Sequence, residues 1–333
     1  VLNPASITLG CLESSTLGSD EKDFISFYQP AGVTLFGRNL IDKEKLAPLR
    51  LVQDLQACVK KNAFPFIIAM DQEGGLVARM KHPLLDIGKA FDLCEGKVST
   101  EALNTIEEIA YEQGRALLVL GVNVNFAPVV DVTFPRDQFN QCFVNSRSFG
   151  PTKESVILRA GAYLKGLKRA SVSGCLKHFP GIGRISGDTH FVSVSENFSK
   201  EFIWQENLEP FRSLHSFAPM VMAAHLVFSK ISPIEVSRSS LWLREVLRNE
   251  LGFEGIILCD DLTMKAVPQE EEAWKNFVIE TVLAGCDLLL ICYGLDKWQM
   301  ACDVLELETK KSPTFRRYVE ASIAKLQKFR QKL

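Results

Sequence analysis

The chain has 333 residues, 47% of them hydrophobic and 23% charged, with a formal net charge of −2. That length holds one large domain or two ordinary ones, and the composition is that of a soluble globular enzyme. A balance so near neutral gives no electrostatic footprint for nucleic acid or an anionic membrane, and no apolar run approaches the ~18 residues of a membrane span.

In chain order, the N-terminal stretch lacks a basic region followed by an apolar core, so no signal peptide is expected. Short apolar or β-branched runs then recur at Ile7–Cys11, Gly32–Phe36, Pro65–Met70, Val122–Ala127, Ser173–Leu176, Pro219–Ala224, Gly255–Cys259 and Asp287–Cys292. Segments of helical periodicity lie between them, among them Lys43–Lys61, Thr100–Leu120, Thr152–Lys168, Phe202–Leu214, Leu241–Asn249 and Glu270–Ala284. Eight strands alternating with helices predict an α/β fold, a single parallel (β/α)8 barrel of the TIM type, as one domain over residues 1–333. An open doubly wound sheet is the alternative, but no GxGxxG follows the first run. The nine cysteines include several in apolar runs (Cys175, Cys259, Cys292) and form no CxxC pair. They read as buried free thiols of a reducing compartment, and the expected location is the cytoplasm.

In such a barrel the chemistry lies at the C-terminal ends of the strands. Those ends carry Arg38-Asn39, Asp71 to Gly75, Asp131 with Arg147 beyond it, Lys177-His178, His225 and Asp260-Asp261. The densest stretch is Gly174–Phe191. An apolar strand there delivers Lys177 and His178 into a glycine-rich loop that returns Asp188 and His190. Asp and His two residues apart face the same way in an extended segment, so a carboxylate can fix the tautomer of an imidazole that moves protons.

Each residue also has a plainer reading. Asp260 suits a helix N-cap. Asp188 and His190 suit a turn. Lys177 and His178 suit a buried ion pair and a core histidine. Read together across one barrel mouth, Asp260 becomes a nucleophilic carboxylate and Asp261 its structural partner. Asp71, Arg79 and Arg147 read as groups that orient a sugar ring, because Arg offers fixed donors and Asp accepts two hydroxyls; rim salt bridges are their alternative. Glu73 is expected to be structural and turned away from the mouth by the Gly74-Gly75 turn. His225 is expected to support either His178 or Asp260. Zinc on His178, His190, His225 and Asp260 lacks an HxH or HExxH spacing, so no metal is expected. No GxSxG elbow supports a serine nucleophile, and Cys259 lies in an apolar strand where a thiol is inert.

The motifs together resemble glycoside hydrolase family three, in its single-domain β-N-acetylglucosaminidase group. The resemblance rests on Asp71-Gln-Glu-Gly-Gly75 with Arg79, Asn125-Phe-Ala-Pro-Val-Val-Asp131, Arg147-Ser-Phe-Gly150, Lys177-His-Phe-Pro-Gly181, Asp188-Thr-His190, and Gly252-Phe-Glu-Gly255 leading to Asp260-Asp-Leu-Thr-Met264. They stand in family order over nearly the whole chain. The resemblance implies a (β/α)8 barrel, Asp260 as nucleophile, His190 as general acid/base and Asp188 as its orienting partner. It also implies that Asp71, Arg79, Arg147, Lys177 and His178 hold an N-acetylglucosamine ring.

Three positions depart from the family pattern: Ile182 stands where His is usual, Leu76 where Arg is frequent and Cys259 where Ser often precedes the nucleophile. Larger relatives carry a second sheet domain that supplies an acid. The chain ends soon after its eighth strand–helix unit, so the acid is expected from the barrel. The implied substrate is a small carbohydrate, a muropeptide fragment with GlcNAc β-linked to anhydro-muramic acid. No cofactor, nucleic acid or membrane is implied, and a monomer is expected. A β-glucosidase or a phosphorylase on the same barrel is the alternative activity.

Overall fold

The computed structural model describes residues 2–40, 47–60, 64–80, 90, 98–134, 146–185 and 194–333. Eight short strands run parallel: β1 (Thr8–Cys11), β2 (Gly32–Leu35), β3 (Ile67–Met70), β4 (Val124–Asn125), β5 (Ser173–Phe179), β6 (Met220–Ala223), β7 (Ile256–Cys259) and β8 (Leu289–Ile291). From β1 to β7 each strand pairs with the next in sequence, and β1 pairs with β8. A parallel bridge between Leu258 and Leu288 closes the remaining seam. Beside it, the backbone N–H of Asp287 donates to Ile257 O at 2.8 Å and that of Cys259 to Leu288 O at 3.0 Å. This is the (β/α)8 barrel the apolar rhythm predicts, with every strand inside its predicted run except β5, which continues to Phe179.

Most strand positions are apolar because the strands are covered twice. Side chains of β1, β2, β3, β6, β7 and β8 are buried at every position, the pattern of a parallel sheet with helices outside and packed side chains inside. Each Ile, Leu or Val buried there contributes roughly 1.5–3 kcal/mol. The outer layer comprises α1 (Ser19–Tyr28), α2 (Ala47–Cys58), α3 (Thr100–Val119), α4 (Lys153–Arg169), α5 (Glu209–Leu214), a π-helical segment Leu241–Glu250, α6 (Glu271–Ala284), α7 (Leu295–Lys311) and α8 (Pro313–Arg330). Ser99, Thr152 and Ser312 cap α3, α4 and α8 by accepting an N–H three residues on, which satisfies donors that a helix start leaves open.

Close approach of the layers depends on small residues. A Cβ on Gly10 of β1 would stand 2.2 Å from the Trp298 ring of α7. Any side chain there would push that helix off the barrel. The Trp298 indole N–H then donates to Thr8 Oγ1 at 2.9 Å.

At the N-terminal end of the barrel, buried Asp287 accepts from the Ile257 backbone N–H at 2.9 Å and pairs with Lys325 at 2.8 Å and with Arg248. Arg330 of α8 donates to Phe64 O and Pro65 O at 2.7 and 2.6 Å, ahead of β3. These contacts hold the end of the barrel opposite the candidate site. Among the described residues, no helix is long and apolar enough to cross a membrane.

Candidate active site

Beyond β3 the chain turns back on itself. Gln72–Gly74 pairs antiparallel with Val77–Ala78, and Gly74 and Gly75 take positive φ at 103° and 59°, which glycine adopts without strain. The hairpin is pinned from below: Gln72 donates its backbone N–H to Asn125 Oδ1 at 3.0 Å, and its side-chain oxygen accepts from the Arg79 and Met80 N–H groups at 2.8 and 2.9 Å. Asp71, Glu73 and Arg79 are thereby fixed relative to β3 and β4.

An ion network stands on this base. Asp71 Oδ1 accepts from Lys177 Nζ at 2.7 Å and Oδ2 from Arg79 Nη2 at 3.2 Å. Lys177 Nζ also lies 2.5 Å from Glu73 Oε1. Arg147 grips Glu73 with two parallel bonds, Nε to Oε2 and Nη2 to Oε1, both 2.7 Å, the paired geometry that makes arginine–carboxylate contacts strong. Exposure grades across the network. Lys177, Glu73 and Arg147 side chains are 2%, 3% and 4% exposed, whereas Asp71 and Arg79 are 17% and 27% exposed. The polar groups open to a ligand are therefore on Asp71 and Arg79, and the other three hold them in place.

Glu73 is where the sequence expectation needs correction. It turns inward, onto Arg147 and Lys177, and not away from the mouth. The tight Gly-Gly turn comes after it in the chain and leaves its own direction to the strand Gln72–Gly74, in which Gln72 and Glu73 point to opposite faces.

Lys177 reaches Asp71 and Glu73 while His178 reaches Asp131 and Arg147, so both join one network although adjacent residues of a strand ordinarily alternate. The pairing of β5 with β6 shifts register between Leu176 and Phe179, and the Lys177–His178 peptide is cis. His178 is anchored by Asp131, a fully buried carboxylate beyond β4. Asp131 Oδ2 accepts from His178 Nδ1 at 2.8 Å, and its carboxylate also accepts the backbone N–H of His178 at 3.1 Å and that of Ile182 at 2.8 Å. Arg147 Nη2 lies 3.4 Å from His178 Nε2. The Asp131 carboxylate accepts, so Nδ1 of His178 carries the proton of their bond. In the sequence Asp131 stands among the strand-end residues and in a motif, with no role assigned to it. Its signal is a charged residue beyond an apolar strand run, in a position where a buried carboxylate must find donors.

Burial opposes ionisation of both network carboxyls. Arg147 and Lys177 outweigh it at Glu73 and hold its pKa down at about 2, against an ordinary 4.5. Lys177 and Arg79 outweigh it at Asp71 and hold that carboxyl well below the usual range. Burial likewise lowers the Lys177 pKa, but Asp71 and Glu73 override it and keep the ammonium charged. A carboxyl with a depressed folded pKa lends stability that is complete above its unfolded pKa and lost as pH falls toward the folded one. The melting temperature is accordingly expected to fall steadily from about pH 4.5 to about pH 2. The slope should be shallower in Glu73→Gln; an equal slope in both proteins would contradict the assignment.

Asp260 stands at the end of β7. Its backbone N–H donates to Ala223 O of β6 at 2.9 Å, and its Oδ1 accepts from the Asp261 N–H at 2.8 Å. Its carbonyl accepts from His225 Nε2 at 3.0 Å, while His225 Nδ1 meets the Ser237 hydroxyl at 2.7 Å. Of the two roles expected for His225, the structure shows support of Asp260. Asp261 is nearly buried and faces the other way. It accepts from the N–H and hydroxyl of Thr263 at 2.9 and 2.7 Å and from the Cys292 N–H at 3.0 Å. It ties β7 to the end of β8, as the structural member of the pair. The Cys175 and Cys292 thiols, raised by burial above all, each also feel the charges of both Asp71 and Asp260. Asp71 directly follows β3 and Asp260 directly follows β7, so both carboxylates stand at the C-terminal end of the barrel. The Cys259 thiol is raised by burial as well, which suits an inert packing residue.

Asp188 and His190 lie outside the described residues. The chain on either side of them is anchored. On the near side, Asn207 Nδ2 donates to Gly181 O at 3.0 Å, and a Cβ on Gly183 would stand 2.3 Å from Val132 O. On the far side, Val194–Glu196 pairs in parallel with Leu226–Phe228, the strand that begins directly after His225. Neither this ladder nor the hairpin beyond β3 was legible in the sequence. Among the described residues, no group of three or more His, Cys, Asp or Glu is placed to hold a metal ion.

Residues 9–322 match the family model of the glycosyl hydrolase family 3 N-terminal domain. A beta-hexosaminidase of Haemophilus influenzae is 31% identical over 310 residues, which is 91% of this chain and 84% of that protein. The structure of a family 3 beta-N-acetylglucosaminidase from Paenibacillus superposes with a TM-score of 0.88 at 26% identity, over 99% of this chain and 62% of that longer one. A beta-N-acetylhexosaminidase from Beutenbergia cavernae shares the fold, with a TM-score of 0.86 at 24% identity over 98% and 97% of the two chains. Motifs in order, barrel and match over most of the chain agree: the protein belongs to glycosyl hydrolase family 3.

Proposed function

We propose that this chain is a retaining exo-β-N-acetylglucosaminidase that removes the non-reducing GlcNAc of GlcNAc-β-1,4-anhydro-muramic acid peptides. At the coarser level it is a glycoside hydrolase, a β-N-acetylhexosaminidase. The observation that carries the finer reading is the placement of Asp260. Its backbone is held by Ala223 and His225 and its Oδ1 by Asp261, on the same mouth as the Asp71–Arg79 rim. A carboxylate fixed at the same barrel end as groups that can take ring hydroxyls suits attack at an anomeric carbon.

In the proposed reaction the Asp260 carboxylate bonds to that carbon as the glycosidic C–O bond breaks. The proton for the leaving oxygen comes from His190, which Asp188 orients. Water then attacks the glycosyl ester, gives its proton to His190 and releases the sugar with Asp260 restored. Asp71 and Arg79 receive ring hydroxyls, while Lys177, Arg147 and His178 keep the binding wall rigid. A carboxylate already held by two cations needs no reorganisation when substrate arrives. The proposed compartment is the cytoplasm, which accords with the seven described cysteines being free thiols.

The test is an assay of the purified chain on aryl β-N-acetylglucosaminide and aryl β-glucoside, with and without phosphate, with product anomers followed by NMR. Release of the β-anomer from the N-acetyl sugar, indifferent to phosphate, is the expected result. First release of the α-anomer would overturn retention, and a phosphate-dependent rate would identify a phosphorylase.

A further inference from the structure

The rim of the mouth between β1, β2, β3 and β8 carries a stack whose outer members, Phe36, Arg38 and Tyr293, the reaction above does not use. The Arg79 guanidinium, bonded to Asp71, lies 4.7 Å from the centre of the Phe36 ring. Arg38 lies 4.9 Å from that ring and 5.0 Å from the ring of Tyr293. The two rings are 6.1 Å apart and inclined by 47°. From the sugar-binding carboxylate outward the order is thus Asp71, Arg79, Phe36, then Arg38 and Tyr293.

The stack is held from beneath. Arg38 donates to Leu12 O at 2.8 Å, to Cys11 Sγ at 2.7 Å and to Cys292 O at 3.0 Å, which fixes it to the ends of β1 and β8. Asn39 accepts the Phe36 N–H at 2.8 Å and donates to Leu12 O and Ser14 O at 3.0 and 2.7 Å. Tyr293 is 58% exposed. Among the described residues it is the only aromatic that stands so far into solvent at the C-terminal ends of the strands; exposed Phe27 and Phe217 lie on and beside outer helices. It follows Cys292, whose backbone N–H donates at 3.0 Å to Asp261, the neighbour of Asp260. A large ring left open beside a carbohydrate-binding wall, on a base that cannot shift, is a pre-formed apolar platform.

We propose that Tyr293, backed by Arg38 and Phe36, is the platform on which the leaving-group sugar stacks its apolar face, and so sets aglycone preference. The ligand class is a second pyranose joined through the scissile bond. This rests on the glycosidase reading above, and it concerns only the half of the substrate beyond the scissile bond. A ring edge and face of this size recognise the C–H face of a pyranose, while the cations on either side of Phe36 favour a leaving group that carries an acidic substituent.

The experiment compares wild type, Tyr293→Ala and Tyr293→Phe. Three readouts are taken: kcat/KM on the disaccharide GlcNAc-β-1,4-GlcNAc, kcat/KM on N-acetyl-β-glucosaminyl fluoride, whose leaving group has no ring, and inhibition by free GlcNAc. The expected result is a fall of about tenfold in Tyr293→Ala on the disaccharide alone, the effect of losing one ring stack. The fluoride rate and GlcNAc inhibition stay within twofold of wild type, and Tyr293→Phe restores the disaccharide rate. An unchanged disaccharide rate in Tyr293→Ala, or an equal fall on all three readouts, would overturn the platform. Absence of any cleavage by wild type would instead overturn the glycosidase reading on which it stands.

Discussion

Asp260→Ala is expected to lower turnover by at least about four orders of magnitude, the scale seen when an attacking group is removed, while the protein melts within a few degrees of wild type. The two halves of that expectation have separate causes. Turnover fails because no other described carboxylate is placed to replace it: Asp261 is turned toward Thr263 and Cys292, and Asp71 is held by Lys177 and Arg79. The fold persists because Asp260 is only partly buried and the Asp261 backbone N–H that its side chain accepts can be satisfied by water. Its main-chain bonds to Ala223 and His225 do not depend on the side chain. Steady-state kinetics with a melting curve checks both. Turnover near the wild-type value would remove Asp260 from the mechanism.

Glu73→Ala is expected to have the largest effect on stability. Glu73 neutralises two cations that are almost wholly buried, Arg147 through two bonds and Lys177 through one. Removing it leaves both charges out of water with less compensation, a change that costs about 3–5 kcal/mol in buried pairs. The midpoint of denaturant unfolding should fall accordingly. Glu73→Gln, which keeps the shape and loses the charge, should fall between wild type and Ala. Activity should drop with stability, since Lys177 then has only Asp71 to pair with and the wall behind the sugar loosens. A wild-type midpoint in Glu73→Ala would show that the network contributes nothing to the fold.

The sequence makes the barrel legible because parallel strands covered on both faces must be apolar at every position. Runs such as Ile67–Met70 and Ile256–Cys259 announce themselves, and polar residues directly after them mark the mouth. Asp71, Lys177, His178 and Asp260 are found on that logic alone, and the structure places each at a strand end around one opening. What the sequence hides is pairing between short, distant segments. The ladder of Val194–Glu196 with Leu226–Phe228 involves three residues a side and no alternation, so no local pattern reports it. Directions after a turn are hidden for the same reason. Glu73 was read from the Gly-Gly pair that follows it, whereas its direction is set by the strand containing it. Asp131 illustrates a third limit: its importance lies in the donors that converge on it from His178 and Ile182, some fifty residues on. Tyr293 illustrates a fourth, because an aromatic after a buried strand looks like core until the fold leaves it exposed. Asp188 and His190 remain assignments from the motif, carried by the resemblance and by their spacing.

The central claim is that Asp260 forms a covalent bond to the sugar. The most direct measurement is to incubate the protein with a 5-fluoro N-acetyl-β-glucosaminyl fluoride, which slows breakdown of a glycosyl ester more than its formation. The protein is then digested and the labelled peptide located by mass spectrometry. One added sugar on Asp260, absent in Asp260→Ala, is the result expected. A label on another residue would contradict the claim, as would a protein that turns over the ordinary substrate yet carries no label.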